Sequence, residues 1–440
     1  MTARAESGST ALDVGSAEHT GVDHARAARV ALILLTLTNL VNYIDRMLMP
    51  ALAQPIKQEF GLSDAQVGVL TGFAFALVYA AAGIPIARLA DRGARRTILA
   101  VSLAFWSIMT AVCGTVRSFG QLALARMGVG IGEAGCLPSS YSLLSDYFPP
   151  ERRGVAIGWF IVGNCLGITI GFMLGGWLGA QVGWRNAFLI VGLPGLLLAL
   201  AIRIFMREPP RGGERDTDTP LDMQQTWSLL VRNRSYRWAI AGNVAFTFVV
   251  HGTVAWLPAF FIRVHGASLT TAGVGTGVVV GVGMAVGTLV GGVWGDRLVR
   301  SGLERPQFLC IGAMLALALG YGVVFWVDSM TAAFAAAFVA CVIGGLAASP
   351  NPTAILNVTE SRVRATAAAL NIMLCSLFGI GLAPVVIGLL SDLFAASRGS
   401  EALRYALTAN IPACLIAAVI HFRTIHVMRE GRLPIPDTSS

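Results

Sequence analysis

The chain has 440 residues, 55% hydrophobic and only 13% charged, with a mean hydropathy of +0.68 and a formal net charge of +8. A soluble domain is about 25% charged. So little charge could not cover a soluble body of 46.3 kDa, which excludes a cytosolic enzyme, a disordered chain and a fibrous repeat, and leaves an integral membrane protein.

Residues 1–27 are polar and mixed in charge and read as a cytoplasmic tail without a cleavable signal. A crossing helix needs about 20 apolar residues. Runs of that kind are expected over 28–50, 64–86, 97–116, 120–142, 153–180 and 184–206, and again over 236–262, 270–296, 306–327, 329–350, 364–390 and 402–426. The expected fold is therefore an all-α membrane protein with 12 transmembrane helices. The polar stretch 207–235, with Pro209, Pro210, Gly212, Gly213 and Pro220, reads as a cytoplasmic linker. It separates an N-terminal six-helix bundle (28–206) from a C-terminal one (236–426), and 427–440 form a second tail. With the N-terminus inside, 24 basic residues face inward and six outward, which predicts both termini in the cytoplasm. All but one of the basic residues are Arg, the exception being Lys57, and they cluster between apolar runs. That is a topology signal, so no nucleic-acid partner is expected. The seven Cys lie in apolar stretches without a CxxC, so neither a metal nor a cofactor is expected.

The two halves repeat. Ala87 to Arg96 follows the second expected span and Gly292 to Arg300 the eighth, with Asp91 and Asp296 in register 205 residues apart. Repeats in parallel orientation are a transporter architecture, with the substrate site between them near mid-membrane. Two glycine series, Gly163, Gly167, Gly171, Gly175, Gly179 and Gly283, Gly287, Gly291, Gly295, have the small-residue spacing that lets helices approach closely. They are expected to form the sliding seam between the halves. The chain has no GxxxxGK[ST] motif, which disfavours an ATP-driven pump, and no HExxH or Ser/His/Asp arrangement, which disfavours an enzyme.

Ionisable groups inside a membrane are costly and are functional hypotheses by default. Asp45 and Arg46 lie about five residues from the outer end of the first expected span, and Arg126 about six from the outer end of the fourth. The three share a depth, so a charge cluster between these spans is predicted. Glu133 follows Arg126 by seven residues, two helical turns, and so shares its face. Asp45 and Glu133 are the expected proton-coupling groups; Arg46 and Arg126 are the expected partners, either of these carboxylates or of an anionic head group. His251 could join a proton path, although an interior hydrogen-bonded His is the plainer reading. Trp256-Leu257-Pro258 is expected to be a kink.

The loop Asp91-Arg92-Gly93-Ala94-Arg95-Arg96, the 6+6 pattern and Trp184 to Phe188 resemble the major facilitator superfamily (MFS). Asn42-Tyr43-Ile44-Asp45-Arg46 together with Gly128-Val129-Gly130-Ile131-Gly132-Glu133-Ala134 further resembles its spinster-like transporters; the first element alone is also similar to organic anion symporters. The resemblance implies an inner gate latched by Asp91 and Asp296, with Arg92, Arg95, Asp146 and Arg152 as partners. It also implies a monomeric, proton-coupled exporter of lipid-like amphiphiles of lysolipid or sphingoid type, working by alternating access. The alternative is a proton-coupled small organic anion symporter; a scramblase or a transport-dead sensor on the same fold is a third class. The scarcity of Lys and the absence of outer glycosylation sequons fit a bacterial inner membrane.

Overall fold

The computed structural model describes residues 11–209 and 223–430. Helix α1 (Ala11–Ala51) carries Pro50 in its last turn. After a short helix, Ala53–Phe60, the Ser63 side chain accepts from the Gln66 amide and the Gln66 side chain returns to Ser63, a capping box that starts the helix Asp64–Gly68. A π-helical turn, Val69–Phe73, leads into α2 (Ala74–Arg92). Next come α3 (Arg95–Cys113), α4 (Phe119–Glu133), α5 (Cys136–Tyr147) and α6 (Pro150–Phe205).

The second half begins with a helix at Met223–Arg232 and continues with α7 (Arg234–Val254) and α8 (Leu257–His265), which meet at 41° where the Trp256-Leu257-Pro258 kink was expected. Helix Leu269–Thr276 passes through a second π-turn, Gly277–Val282, into α9 (Gly283–Val299). Then follow α10 (Pro306–Trp326), α11 (Met330–Ala348) and a broken run over Pro350–Asn357 and Arg364–Leu374. A third π-turn, Cys375–Leu382, opens α12 (Ala383–Arg398), and α13 (Asn410–Glu430) closes the described chain.

Eight helical stretches, or nine with the bent pair, are long and apolar enough to cross a membrane. Two of them run through a pair of expected spans each: Pro150–Phe205 has 56 residues and Thr366–Glu430 has 65. At 1.5 Å per residue the first would be about 84 Å long if straight, against a hydrocarbon core of about 30 Å. It is not straight: Gly183 has φ 79° and ψ 159°, a conformation open to glycine alone, and reverses the path between the fifth and sixth expected spans.

Apart from Gly179, where a Cβ would stand 2.9 Å from Leu269 of the other half, the glycine series do not form the seam that their spacing suggested. A Cβ on Gly167 would stand 2.5 Å from the Leu40 carbonyl oxygen, and one on Gly171 would stand 2.9 Å from the Ile44 Cα, so this face of α6 packs against α1 in its own half. Gly283 and Gly295 likewise face Cys341 and Pro350 in theirs. The halves meet instead at Gly176, one position round from Gly175 and so about 100° away on the helix. A Cβ on Gly273 would lie 2.6 Å from the Gly176 Cα, and one on Gly277 2.6 Å from the Thr169 carbonyl oxygen. Gly68 approaches the Pro384 backbone as closely. Two substitutions separate these roles. Gly167→Val is expected to destabilise the N-terminal half by about 1–3 kcal/mol through overpacking, read as a lower unfolding temperature in detergent. Gly273→Val is expected to leave that temperature nearly unchanged and to push the halves apart.

Where α1 ends, Glu59 ties the short helix Ala53–Phe60 to the turn in α6. It accepts from Trp184 Nε1 at 2.5 Å and from Arg185, which also donates to the Val116 carbonyl at 3.1 Å. The hydrogen bond from Arg185, then that from Trp184, hold the Glu59 carboxyl below the usual carboxylate range. A carboxyl lowered on folding stabilises the fold above its unfolded value and stops doing so as pH falls through the folded one. Glu59→Gln should therefore lower the unfolding temperature at pH 7, and the difference from the unsubstituted protein should close as the pH is taken below 4.

Candidate functional site

The four intramembrane charges come together between α1 and α4. Asp45, Arg126 and Glu133 are buried, with at most 2% of each exposed, and Arg46 is half-buried. Arg46 Nε donates to Glu133 Oε2 at 2.6 Å. The guanidinium also sits in an aromatic cage: its carbon lies 4.9 Å from the ring centroids of both Phe75 and Tyr79 and 5.3 Å from that of Tyr43. Arg126 approaches Phe75 as well, at 5.5 Å, so one ring serves both guanidinia. Cation–π contacts of this kind stabilise a desolvated cation by up to about 2 kcal/mol.

Asp45 and Arg46 are neighbours on a helix and diverge by about 100°, so they serve different partners. Asp45 accepts from Thr110 Oγ1 on α3 at 3.3 Å and makes no ion pair within 4 Å among the described residues. The cluster is half-satisfied. Asp45 Oδ1, Glu133 Oε1, and Nε and Nη1 of Arg126 are buried without a hydrogen-bond partner. Each such atom costs about 1–3 kcal/mol, whereas a permanent structural pair closes its bonds.

Across the divide, His251 Nδ1 lies 3.1 Å from the Thr247 carbonyl of its own helix, and the ring is within electrostatic reach of Arg46. Three other polar side chains of α7 already have partners. Asn243 donates to Asn371 at 2.9 Å, Thr247 and Thr253 donate to carbonyls in α7, and Thr253 also accepts from Asn410. His251 is thus the α7 side chain with an electrostatic link to the charges across the divide.

A second charged network, absent from the sequence-based expectations, joins the two halves just beyond the end of α1. Arg263 on α8 grips Asp64 with two donors, each at 2.8 Å, and donates to Gln54 at 2.7 Å. Lys57 also pairs with Asp64, and Ser391 on α12 donates to it at 2.6 Å. Asp392 accepts from the Asp64 and Ala65 amides at 2.8 Å each, meeting the orphan donors of that helix start. The available signal was the Ser63–Gln66 capping box placed beside Asp64, together with an isolated outer Arg.

Of the expected inner-gate residues, Arg95 pairs with Asp146 and, at 3.0 Å, with Glu208, while its Nη2 donates to the Pro209 carbonyl at 3.0 Å. Asp146 belongs to the N-terminal half and Glu208 and Pro209 to the start of the linker, so none of these contacts reaches the C-terminal half. Arg152 and Asp296 are exposed and make no ion pair among the described residues. Asp91 and Arg92 end α2, and their side chains lie outside the described residues. Among the described residues, the ion pair that joins the halves is Arg263–Asp64.

The family model described as Major Facilitator Superfamily matches residues 35–384. An "MFS-type efflux pump" of Mycolicibacterium smegmatis is 32% identical over 93% of this chain and 94% of its own. The "Sphingosine-1-phosphate transporter SPNS2" of Danio rerio is 28% identical over 86% and 79%. A chain of Escherichia coli named "Probable L-galactonate transporter" is 28% identical over 65% and 66%. Among solved structures, a bacterial homolog to the human lysosomal transporter Spinster, in an inward-facing and unoccupied conformation, superposes with a TM-score of 0.85 at 30% identity, covering 93% of this chain and 99% of that one.

Proposed function

The chain belongs to the major facilitator superfamily, as a multi-pass membrane transporter and not an enzyme, and we propose that it exports lipid-like amphiphiles of lysolipid or sphingoid type in exchange for protons. The observation that carries this reading is the half-satisfied cluster of Asp45, Arg46, Arg126 and Glu133. Glu133 holds Arg46 when ionised and releases it when protonated; Arg126 keeps open donors for an anionic head group. With Asn243, Thr247 and Thr253 already bonded, α7 opposite suits an alkyl chain better than a sugar.

Twelve crossings follow if α6 and the run Thr366–Glu430 each cross twice, α7 and α8 form one bent span, and α4 with α5 supply the fourth. The Arg-rich side is then cytoplasmic, in a bacterial inner membrane. The state is inward-facing, with the Asp64–Arg263 network as the closed outer gate. Asp91, Arg92, Arg95, Asp146, Arg152 and Asp296 would form the inner latch in the opposite state.

Purified protein in liposomes, with an imposed pH gradient and a labelled lysophospholipid, tests the reading. Uptake or release that follows the gradient is expected. Flux without any gradient would indicate a scramblase instead. The open donors of Arg126 also suit a small organic anion, and gradient-driven flux of such an anion in place of the lysolipid would favour that reading.

A further inference from the structure

Arginine is common at the cytoplasmic ends of membrane helices, but at one place several guanidinia are gathered on one groove and left unpaired. Two contacts set the antiparallel register of α7 and α13. Arg234 pairs with Glu430 at 3.8 Å, and Gly242 packs on the His421 ring, where a Cβ would lie 2.7 Å from Cε1. Arg237 lies one turn from Arg234 on α7. Arg423 lies seven residues from Glu430 on α13, with His426 between them on the same stripe. The Arg234–Glu430 pair joins these two stripes, so Arg237 and Arg423 flank one groove, about 6 Å apart in depth at 1.5 Å per residue.

Both are exposed, and neither makes an ion pair among the described residues; Arg232 is likewise exposed and unpaired. Glu430 is the carboxylate among them, and it is shared by Arg234 and His426, the latter at 3.2 Å. The flanks are apolar. Phe422 is 61% exposed beside Arg423. The helix Met223–Arg232 anchors Leu230 in a cluster with Tyr236 and Ile240, and presents Trp227 and Val231, four residues apart, on an adjacent exposed stripe. A basic groove between membrane helices whose guanidinia have no ion pair among the described residues, beside an α7 that also carries an aromatic-bearing amphipathic helix on its Tyr236–Ile240 face, has the chemistry of an anionic lipid head-group site.

We propose that the groove between α7 and α13 binds an anionic phospholipid of the Arg-rich leaflet through Arg237 and Arg423. This lipid is a resident of the surrounding bilayer and not the transported amphiphile. The leaflet assignment rests on the orientation proposed above; binding in detergent does not.

The test is native mass spectrometry of the full chain in detergent, titrated with phosphatidylglycerol or phosphatidylcholine. One phosphatidylglycerol is expected to bind at least tenfold more tightly than phosphatidylcholine. The double variant Arg237→Gln/Arg423→Gln should weaken it about thirtyfold, at the energy expected per surface Arg. Arg423→Gln alone should weaken it about fivefold, which covers failure of the double variant to purify. Arg88→Gln/Arg300→Gln, which removes the same charge elsewhere on the Arg-rich side, should leave binding unchanged. Arg126→Gln should also leave it unchanged. Equal binding of the two lipids, an equal loss in the Arg88/Arg300 control, or a loss caused by Arg126→Gln would overturn the site. So would competition by soluble glycerol phosphate, which would show a phosphate site rather than a lipid site.

Discussion

Glu133→Gln is expected to cut pH-gradient-driven flux at least tenfold and to leave the residual flux insensitive to pH. Gln keeps the size of Glu and can still accept a hydrogen bond, but it carries neither the charge that holds Arg46 nor the proton to be moved. Arg46 is then left as a cation with only its aromatic cage to offset its burial. Removing one member of a buried pair costs about 3–5 kcal/mol, which biases the site toward states in which Arg46 finds another anion. Substrate counterflow without a pH gradient should persist, because it needs alternating access but no net proton movement. Asp45→Asn is expected to act in the same direction and more weakly, since Asp45 bonds to Thr110 and makes no ion pair within 4 Å among the described residues. The measurement is labelled-substrate flux in liposomes at several external pH values. Flux like that of the unsubstituted protein, with unchanged pH dependence in both variants, would sink the proton-coupling assignment.

The second large effect is expected at the second charged network. Arg263 and Asp64 form a bidentate pair with 14% and 5% of their side chains exposed, and the pair joins the two halves. Arg263→Gln removes the charge and the fork. Lys57 and Ser391 still reach Asp64, so part of the loss is offset. A net loss of about 2–3 kcal/mol, below the full cost of breaking a buried pair, shifts the balance between closed and open outer gates by roughly thirty- to a hundredfold toward open. Spin labels on Cys replacing Arg117 and Asp328, outer residues of the two halves, read this as a distance. In a cysteine-free background one short distance is expected with Arg263 present, and a longer component with Arg263→Gln. Identical distributions would show that the halves are held by the glycine contacts alone.

Legibility from sequence differs between the fold and the site. The positions of the helices follow from apolar runs, because each crossing must satisfy its own backbone bonds and bury its side chains in lipid. Asp45, Arg46, Arg126 and Glu133 could be named for the same reason: charge inside an apolar run is too costly to be incidental. Their order of importance could not be read. Nothing in the sequence sets Arg46 apart from the other three, yet it makes the 2.6 Å pair with Glu133 and sits in the cage. Phe75 and Tyr79 went unnoticed because aromatics one turn apart on a membrane helix look like lipid-facing or packing residues until a cation is found above them. The glycine seam failed for a geometric reason. A spacing of four shows that a face is flat; it does not show which neighbour the face meets.

By itself, then, the sequence determined that this chain crosses a membrane many times, that its halves carry a repeated loop motif, and that three charges share a depth in the first and fourth spans with Glu133 two turns from Arg126 on the same face. Those are properties of one helix at a time, set by the cost of putting polar groups in hydrocarbon. Tertiary structure alone decided which carboxylate meets which guanidinium, that the halves touch at Gly176 and Gly273, and that Lys57, Asp64, Arg263, Ser391 and Asp392 converge into one network. These five residues come from four helices, and Asp64 and Asp392 are more than 300 positions apart. Their meeting depends on how the two bundles are rotated against each other, a relation that no local pattern of residues encodes.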